Sequence, residues 1–589
     1  MSKKKLWSSA GAVKNNLSVK LLLCSLGIGL LAGYGALAFR FLIAETQNLF
    51  YGFDDELVVS GTADLPWWQI MLIPVIGGLI IGVFLRYAVP ERRIQGVADV
   101  IEASVLRKGK MKLWVGISSF LASGVSLGTG SSGGREGPVV HFAAMLGSQV
   151  GQRLRLPSKY YPILIGCGVA SGVAASFNAP IAGMFFALEV VIGSLATQAV
   201  APIVLASVVG TVVSRIHIGD FPAFIIPDYN IVTWWELPAI ALLGVVSAIV
   251  ALLFVWSITF SEEVINKFKI PDVFRPAAGG FVLGIIALAF PQIIGVGYEA
   301  TDQALKEEYD LILLLSLIVV KTIAVGITAG SRFGGGFFSP SLFVGAMTGG
   351  AFGIIAAYIS PEMAASHGLY AIIGMTAVAS SVLGAPISTI LIVFELTGDY
   401  RLSIAVMVAV AVTTIITKQL LDRSIFQVQL ERRNIDVKES RALRFLKYRQ
   451  VRGIMDRDFI EIPFATNMTD LRHIVSQHNH DKFVVIDPEN KSFVGRLVYA
   501  DLRPHLFGNT DEDPALAGNL VHSDGPVIFP DSSLKSALSI MTEAAVECLP
   551  VIDTATETRL VGLLHYHDLL REYNAALLKL EERDEEENK

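Results

Sequence analysis

Residues 169–189 read VASGVAASFNAPIAGMFFALE, and residues 378–395 read VASSVLGAPISTILIVFE. Both stretches contain Ala-Pro-Ile, and in both a glutamate, Glu189 or Glu395, stands nine positions after the proline. The two prolines are 206 residues apart (386 − 180). This spacing predicts that one half of the region is a repeat of the other.

A second pair of segments matches at nearly the same distance. Gly134-Arg-Glu-Gly-Pro138 corresponds to Gly336-Phe-Phe-Ser-Pro340, which lies 202 residues further on (340 − 138). Small residues are common in any tightly packed helical membrane protein, but two matches at almost one offset argue against chance. Duplicated halves with Gly- and Pro-interrupted segments at corresponding positions are typical of transporters that bind ions near the membrane midplane.

Glu136 is a carboxylate within an otherwise apolar stretch. An ionised side chain at membrane depth costs about 2.5–3.5 kcal/mol even on the lenient insertion scale, so it normally faces a polar cavity. The surrounding glycines let the backbone leave a helix, and Pro138 suits the first turn of a new one. Such a helix would point free N–H groups and its positive dipole end inward, forming an anion site that the carboxylate can itself occupy. The alternative is a tight loop with a surface ion pair.

Composition indicates a membrane region followed by a water-soluble one. Hydrophobic residues make up 52% of the 589 residues and charged residues 17%. Residues 436–589 are rich in charge, whereas the region before residue 420 contains apolar runs near the roughly 20 residues that a spanning helix needs. These runs include 18–44, 66–87, 197–215 and 236–260.

Net charge and cysteine content give no indication of a nucleic-acid-binding protein or of a disulfide-stabilised one. A net charge of −6 gives no indication of nucleic-acid binding. Cys24, Cys167 and Cys548 are far apart in the sequence, so no disulfide framework is predicted.

The distribution of basic residues predicts that both termini are cytoplasmic. No Lys or Arg occurs between residues 41 and 65, which indicates an external loop, and a retained first span is favoured over a cleaved signal peptide. The basic residues expected on the cytoplasmic side are Lys3, Lys4, Lys5, Lys14, Lys20, Arg92, Arg93, Arg107, Lys108, Lys110, Lys112, Arg423, Arg432 and Arg433.

The soluble tail contains its own repeat. Residues 494–502 (VGRLVYADL) align with residues 561–569 (VGLLHYHDL), and the runs VVID at 484–487 and PVID at 550–553 keep nearly the same offset. Short buried strands that alternate with helices predict two βαβ-type units.

The membrane region resembles the CLC family of chloride channels and chloride/proton exchangers. The motifs that carry the resemblance are GGREGPVV (133–140), SFNAPIAGMFFALE (176–189), GSRFGGGFFSPSLFVG (330–345) and GAPISTILIVFELTGDY (384–400). The resemblance implies an α-helical polytopic membrane protein of two inverted repeats of broken helices, with a cytoplasmic α/β pair of CBS domains. It also implies a homodimer in the lipid bilayer with one chloride or small-anion pore per subunit.

These expectations divide the chain into six segments. They are a cytoplasmic N-terminal segment (1–17), the transmembrane anion-transport domain (18–435), a linker (436–448), CBS repeat 1 (449–508), CBS repeat 2 (516–575) and a charged tail (576–589).

The family's functional residues carry over position by position. Glu136 corresponds to the external gating glutamate, whose side chain occupies the anion path and swings away when it is protonated or displaced. Phe337 and Phe338 match the positions whose backbone N–H groups bind the central anion. Two side-chain ligands depart from the family pattern: the usual serine is Gln95, and the usual tyrosine is Phe426. The flanking residues assigned to the same anion path are Gly96, Arg135 and Gly137.

Val190 bears on proton coupling. In the family's exchangers a second glutamate at this position relays protons from the cytoplasm, and valine cannot carry a proton. The resemblance therefore favours a channel-like mechanism, with proton exchange through another relay or a water chain as the alternative. Glu189 is expected to be a structural, inward-facing glutamate bonded to backbone or to a neighbouring loop.

The paired CBS repeats resemble modules whose cleft holds an adenine nucleotide, with an Asp at the Asp501 or Asp568 position on the ribose. The hydroxyl residue usual three positions earlier is Val498 or His565 here. A structural, dimer-stabilising tail is therefore the alternative to a nucleotide sensor, and no cofactor is required.

Two other classes are compatible with parts of the sequence. Gly130-Ser131-Ser132-Gly133 followed by His141 could form the dyad of an intramembrane serine protease, although the loop already explains the glycines. A CBS-linked divalent-cation transporter would need several converging carboxylates, and the spans supply mainly Glu136, Glu189 and Glu395. We expect neither an enzymatic centre nor a metal site.

Overall fold

The structure is a computed structural model that describes most of the chain. The described residues are 3–53, 58–193, 197–220, 224, 236–359, 366–435, 446–478, 482–489, 491–497, 502–503, 515–522, 525–556 and 558–575, with side chains from residue 19 onward. The chain divides into two compact units, residues 1–437 and 438–589.

The first half of the membrane unit consists of helices of very different lengths. They are α1 (Lys3–Tyr51), α2 (Val58–Thr62), α3 (Trp67–Ala88), α4 (Val97–Leu106), α5 (Leu113–Gly128), α6 (Glu136–Arg153), α7 (Tyr161–Phe177), α8 (Pro180–Phe186) and α9 (Thr197–Ile218). A π-helical turn, Ala187–Ile192, continues α8.

The second half has a similar series. Its helices are α10 (Leu237–Lys267), α11 (Arg275–Ala289), α12 (Tyr298–Leu305), α13 (Leu311–Gly330), α14 (Phe338–Ile359), α15 (His367–Leu383), α16 (Pro386–Thr397) and α17 (Tyr400–Leu420), followed by α18 (Ile425–Arg432).

Within the described residues, eight helices are long and apolar enough to cross a membrane. They include Val19–Tyr51, Trp67–Ala88, Gln198–Ile218 and Leu237–Lys267, which contain the four apolar runs expected from the sequence. The first helix continues past residue 44, the end of its apolar run, to Tyr51. Polar Thr46 is accommodated there because its hydroxyl donates to the Leu42 carbonyl at 2.7 Å. Part of the predicted external loop is therefore helical.

The repeat in the sequence is also a repeat in the backbone. Helix α7 ends at Asn178 with φ 58°, and α15 ends at Gly384 with φ 68°, so both stop at a left-handed residue. Pro180 and Pro386 then begin α8 and α16, where the missing N–H of proline is tolerated. The break between two helices is thus built in the same way in both halves.

The loops that precede α6 and α14 meet each other. Gly134 and Gly336, which occupy equivalent positions in the two halves, form an antiparallel bridge in which each N–H donates to the other's carbonyl at 2.7 Å. A Cβ on Gly133 would lie 2.7 Å from the Cα of Gly335, which is closer than real Cβ contacts. Glycine is therefore required here for the halves to approach, and their meeting brings the starts of α6 and α14 together.

The C-terminal unit contains two similar βαβ arrangements, as the sequence predicts. Strand β1 (Ile460–Pro463) and β2 (Phe483–Ile486) are parallel and flank helix α19 (Met468–Gln477). The sheet continues in the order β1-β2-β3-β4 with β3 (Phe493–Leu497) and β4 (Val521–His522).

The second arrangement repeats the first. Ile528 forms a parallel bridge with Val551 in β5 (Cys548–Ile552), and helix α20 (Leu534–Ala544) lies between them in the chain. Strand β6 (Leu560–His565) pairs antiparallel with β5. Both antiparallel pairs carry a register shift at equivalent residues, between Val485 and Ile486 and between Val551 and Ile552.

Candidate functional site

The carboxylate of Glu136 lies at the start of α6 and is 1% exposed. Its two oxygens accept hydrogen bonds from hydroxyl groups of the other half: Oε1 from Tyr298 at 2.6 Å, and Oε2 from Ser339 at 2.5 Å. An ionised acceptor makes such bonds stronger than neutral ones. The side chain is therefore held in place by residues that the sequence reasoning did not single out.

Arg135 contacts both Glu136 and Tyr298. Its Nε lies 3.8 Å from Glu136 Oε1, and its guanidinium carbon is 4.4 Å from the centroid of the Tyr298 ring. The ring of Tyr298 also packs edge-on against Phe224. Arg135 lines a separate small hollow with Arg40 and Val139, so it lies beside Glu136 but outside the lining of the cavity described next.

A cavity of about 240 Å³ brings most of the expected anion-site residues together. Its lining includes Gln95, Gly96, Glu136, Gly137, Phe337, Phe338 and Phe426. These residues come from four parts of the chain, and the pairing of Gly134 with Gly336 brings together the two parts that contain Glu136 and Phe337.

Two helix N-termini face this cavity. Helix α6 begins at Glu136 and α14 begins at Phe338, so the N–H groups of their first turns have no preceding turn to accept them. Such groups and the positive dipole end favour a bound anion. The rings of Phe337 and Phe338 are buried, and Phe338 packs against Phe177 and Phe186 at centroid distances of 4.9 and 5.6 Å. The Phe338 ring is therefore held among aromatic side chains, and both Phe337 and Phe338 line the cavity.

Gln95 is fixed by two contacts from neighbouring helices. Its backbone N–H donates to Ser119 Oγ at 3.2 Å, and its side-chain Oε1 lies 3.1 Å from His141 Nε2. Both Gln95 and His141 are buried. His141 thus binds Gln95 in this structure, and the serine–histidine pairing that a protease dyad would need is not the pairing observed.

Three charged residues, Arg93, Asp99 and Arg433, also line the cavity. Asp99 accepts from the Gly96 N–H at 2.9 Å, and it forms ion pairs with Arg93 at 2.6 Å and Arg433 at 2.9 Å. Asp99 therefore connects the loop that carries Gln95 to the end of α18. Asp99 stands three residues after the N-cap Gly96, where an acidic side chain can accept from the N-cap N–H, and this spacing is the signal that could have identified it from the sequence.

Glu189 and Glu395 each accept hydrogen bonds from the backbone of the half to which they do not belong. Glu189 accepts from the N–H of Ile387 at 3.1 Å and of Ser388 at 3.0 Å, at the start of α16. Glu395 accepts from the N–H of Ile181 at 2.9 Å and of Ala182 at 2.8 Å, at the start of α8. Each half thus caps a helix of the other half. Because Glu136, Glu189 and Glu395 bind different partners, they do not form the converging carboxylates that a divalent-cation pore would need.

Val190 lies next to Glu189 in the π-helical turn and packs against the membrane core. Its side chain is apolar, so the position offers no group that can take up or release a proton.

In the C-terminal unit, Asp568 is held by its neighbours. Its Oδ1 lies 3.0 Å from Arg571 and 3.3 Å from His567. Burial and the nearby His567 lower the pKa of His565, which favours its neutral form. Asp501 and Val498, the corresponding positions of the first repeat, lie outside the described residues.

Two inverted halves of broken helices, whose helix N-termini meet at one polar cavity within an apolar helical unit, define an integral membrane transport protein. The comparisons identify its family. The family model described as voltage gated chloride channel matches residues 77–418, and the CBS domain model matches residues 517–575.

Individual proteins give the same result. The chain is 31% identical over 386 residues to the putative chloride channel protein ClcB-like from Ralstonia nicotianae, covering 65% of this chain and 90% of that protein. The fold is similar to a slow cyanobacterial Cl⁻/H⁺ antiporter (TM-score 0.62, 20% identity, 70% of this chain and 97% of that one). It is also similar to a eukaryotic CLC transporter (TM-score 0.60, 18% identity, 93% of this chain and 98% of that one).

The chain therefore belongs to the CLC family of voltage-gated chloride channels, a family of anion-transport proteins, and carries a CBS domain near its C-terminal end. This confirms both the resemblance and the fold class expected from the sequence.

Proposed function

We propose that this protein conducts chloride and other small anions through a pore in which Glu136 is the gate. The observation that carries the proposal is the position of Glu136: its carboxylate lies in the same cavity as Gln95, Phe337 and Phe338, at the start of α6. A site built for an anion is thus occupied by an anionic side chain of the protein itself. A permeant anion would compete with the carboxylate for the same positive environment.

The anion ligands we propose are backbone amides and one side-chain amide. Phe337, Phe338, Gly96 and Gly137 contribute through the backbone, which has no preference for a particular side chain. Gln95 contributes through its side chain. Phe426 lines the path without a hydroxyl group, so it narrows the cavity without donating a hydrogen bond.

We propose a channel-like mechanism rather than chloride/proton exchange. The supporting observation is Val190, which packs among apolar side chains and has no titratable group. Moving a proton through dry protein without such a group is prohibitive. The alternative is an exchanger in which a file of water reaches Glu136 from the cytoplasmic side, with room left by Phe426, which is smaller than tyrosine.

The proposed assembly is a homodimer in the lipid bilayer, with one pore per subunit and both termini in the cytoplasm. The orientation rests on the rule that cytoplasmic loops of membrane proteins are enriched in Lys and Arg. Two of the basic residues expected on that side, Arg93 and Arg433, both pair with Asp99 and therefore lie close together.

The cytoplasmic unit is proposed to contain two CBS repeats that stabilise the dimer. An adenine nucleotide at Asp501 and Asp568 is the second candidate role. It is disfavoured by the engagement of Asp568 with Arg571 and His567, and by the absence of a hydroxyl at His565.

Anion flux from proteoliposomes tests the gate. Glu136→Gln imitates the protonated carboxyl, and it should raise chloride flux or abolish its dependence on external pH. A matched control is Glu299→Gln, because Glu299 in α12 also accepts hydrogen bonds from the other half, from the backbone N–H groups of Val59 and Ser60 in α2, but lies outside the cavity lining. Equal flux and an equal pH response in wild type and Glu136→Gln would contradict the assignment.

A further inference from the structure

We propose that His141 is a positioning residue for anion selectivity: it binds the side-chain oxygen of Gln95 and thereby turns the amide N–H groups of Gln95 towards the anion path. The inference rests on the proposed function, since it specifies how one of the proposed ligands is oriented.

The geometry that carries the inference is a buried pair of side chains. Gln95 Oε1 lies 3.1 Å from His141 Nε2, and both residues are almost completely buried, with 6% and 1% exposure. Gln95 lines the cavity that contains Glu136. Its backbone is held independently, because its N–H donates to Ser119 Oγ. The loop position and the side-chain orientation therefore depend on different residues.

The chemistry of the pair allows two arrangements. In the first, His141 Nε2–H donates to Gln95 Oε1, which leaves both N–H bonds of the amide nitrogen free for another acceptor. In the second, the amide nitrogen donates to an unprotonated Nε2, and the carbonyl oxygen is left to face the cavity.

An anion path selects the first arrangement. A carbonyl oxygen carries partial negative charge and would repel an anion beside it, whereas two N–H groups can donate to it. An unpaired buried polar group is also destabilising, and the first arrangement leaves donors facing the passing anion instead of an oxygen without a donor. The imidazole that fits is neutral, with its proton on Nε2.

This arrangement makes one helix responsible for two tasks. Glu136 at the start of α6 controls whether the path is open, and His141, five residues later on the same helix, controls which atoms of Gln95 the anion meets. Loss of the His141 donor would let the amide rotate, so that its oxygen faces the path for part of the time.

The test compares anion preference in variants of His141. Flux of chloride, bromide, nitrate and fluoride is measured from proteoliposomes that contain the full chain. His141→Met removes the donor at similar volume, and His141→Gln retains an N–H donor near the Nε2 position. We expect His141→Met to change the rank order of the four anions and to lower the flux of the preferred one by about tenfold, while His141→Gln keeps the wild-type order.

The same His141 substitution in a Gln95→Ala variant shows whether the change in anion rank order depends on Gln95. In Gln95→Ala there is no amide to orient, so adding His141→Met should change the rank order no further. An unchanged order in His141→Met, or an equal change with and without Gln95, would overturn the inference. Loss of the wild-type anion rank order in folded His141→Gln would also overturn the inference. This second variant keeps the inference testable if His141→Met does not fold.

The failure of this inference can be distinguished from the failure of the proposed function. If the wild type moved no anion at all, the proposed function would be wrong, and the inference with it. If anions moved through every variant with the same preferences, only the role of His141 would be wrong.

Discussion

The hydroxyl of Tyr298 donates to Glu136 Oε1 at 2.6 Å, across the boundary between the two halves of the membrane unit. Ser339 donates to the other carboxylate oxygen at 2.5 Å. The proposed gate is thus a side chain of the first half that accepts hydrogen bonds from two hydroxyl groups of the second. Opening requires both hydrogen bonds to break, so their strength should set how often the carboxylate leaves the path.

Tyr298→Phe should increase anion flux. The change removes one donor but retains the ring that packs against Phe224 and lies under Arg135. A hydrogen bond to a charged group contributes about 1.5–3 kcal/mol, so the open population should rise roughly tenfold or more. Flux from proteoliposomes at fixed external pH measures the change.

Tyr309→Phe is the matched control for this prediction. Its hydroxyl donates to Gln303 at 2.5 Å, so the variant loses a similar hydrogen bond outside the gate. We expect wild-type flux from it. Equal flux in Tyr298→Phe and Tyr309→Phe would show that Tyr298 does not restrain the gate.

The selectivity of the path should depend on Gln95 and not on the phenylalanine rings. Replacing Phe337 and Phe338 by leucine should leave anion binding in place, because the backbone N–H groups do the binding and leucine keeps an apolar contact with Phe177 and Phe186. Gln95→Ala should change the rank order among chloride, bromide, nitrate and fluoride. Calorimetric titration of each anion and flux measurements report the two effects separately.

An unchanged rank order after Gln95→Ala would place that side chain outside the anion path. Complete loss of binding after the two leucine substitutions, in a protein that still folds, would mean that the rings themselves are ligands.

Glu189 and Glu395 should contribute to stability and not to selectivity. Each accepts two backbone N–H bonds at the start of a helix of the opposite half. Removing a capping side chain costs about 0.5–2 kcal/mol, so Glu189→Ala and Glu395→Ala should each lower the melting temperature in detergent. The anion rank order should remain that of the wild type.

The two variants are controls for each other, because their sites are equivalent in the repeat. A changed rank order in Glu189→Ala alone would indicate that this glutamate takes part in transport.

Several features of the fold were predictable because they are local in sequence. The Pro180 and Pro386 motifs predict where helices break, and the glycines around Glu136 predict a helix that starts there, since both depend on backbone preferences of neighbouring residues. The apolar runs predict the spans because a run of about 20 apolar residues is long enough to cross the hydrocarbon core of a bilayer.

Contacts between the halves could not be predicted in this way. Tyr298 meets Glu136 from 162 residues further along the chain, and Ser388 meets Glu189 from a separation of 199 residues. The sequence indicated that Glu189 would bond to backbone or to a nearby loop, but it did not identify α16 as the partner. Ser339 was identifiable in principle, because it lies in the motif that matches the Glu136 segment.

Gln95 departs from the serine that is usual in the family, and its side chain is the partner of His141. The sequence suggests Ser131 or Ser132, which are close in sequence, as partners for His141, whereas His141 binds Gln95 at a separation of 46 residues. A serine at position 95 would have a shorter side chain than glutamine. The role of His141 is therefore apparent only once Gln95 is known to be its partner.

Proton coupling should increase when a titratable group is restored at position 190. Val190→Glu supplies a carboxyl at the relay position, whereas Val190→Gln has the same size and no proton to exchange. We expect proton movement with chloride to rise in the first variant and to remain at the wild-type level in the second. Equal proton movement in both would show that this position is not on a proton route.

The most direct test of a passive, glutamate-gated anion pore is simultaneous measurement of chloride and proton flux from liposomes containing the wild-type protein. A chloride gradient should drive chloride efflux with little or no stoichiometric proton movement, because Val190 leaves the inner route without a titratable relay. Uphill proton movement at a fixed ratio to chloride would contradict the account and identify the protein as an exchanger.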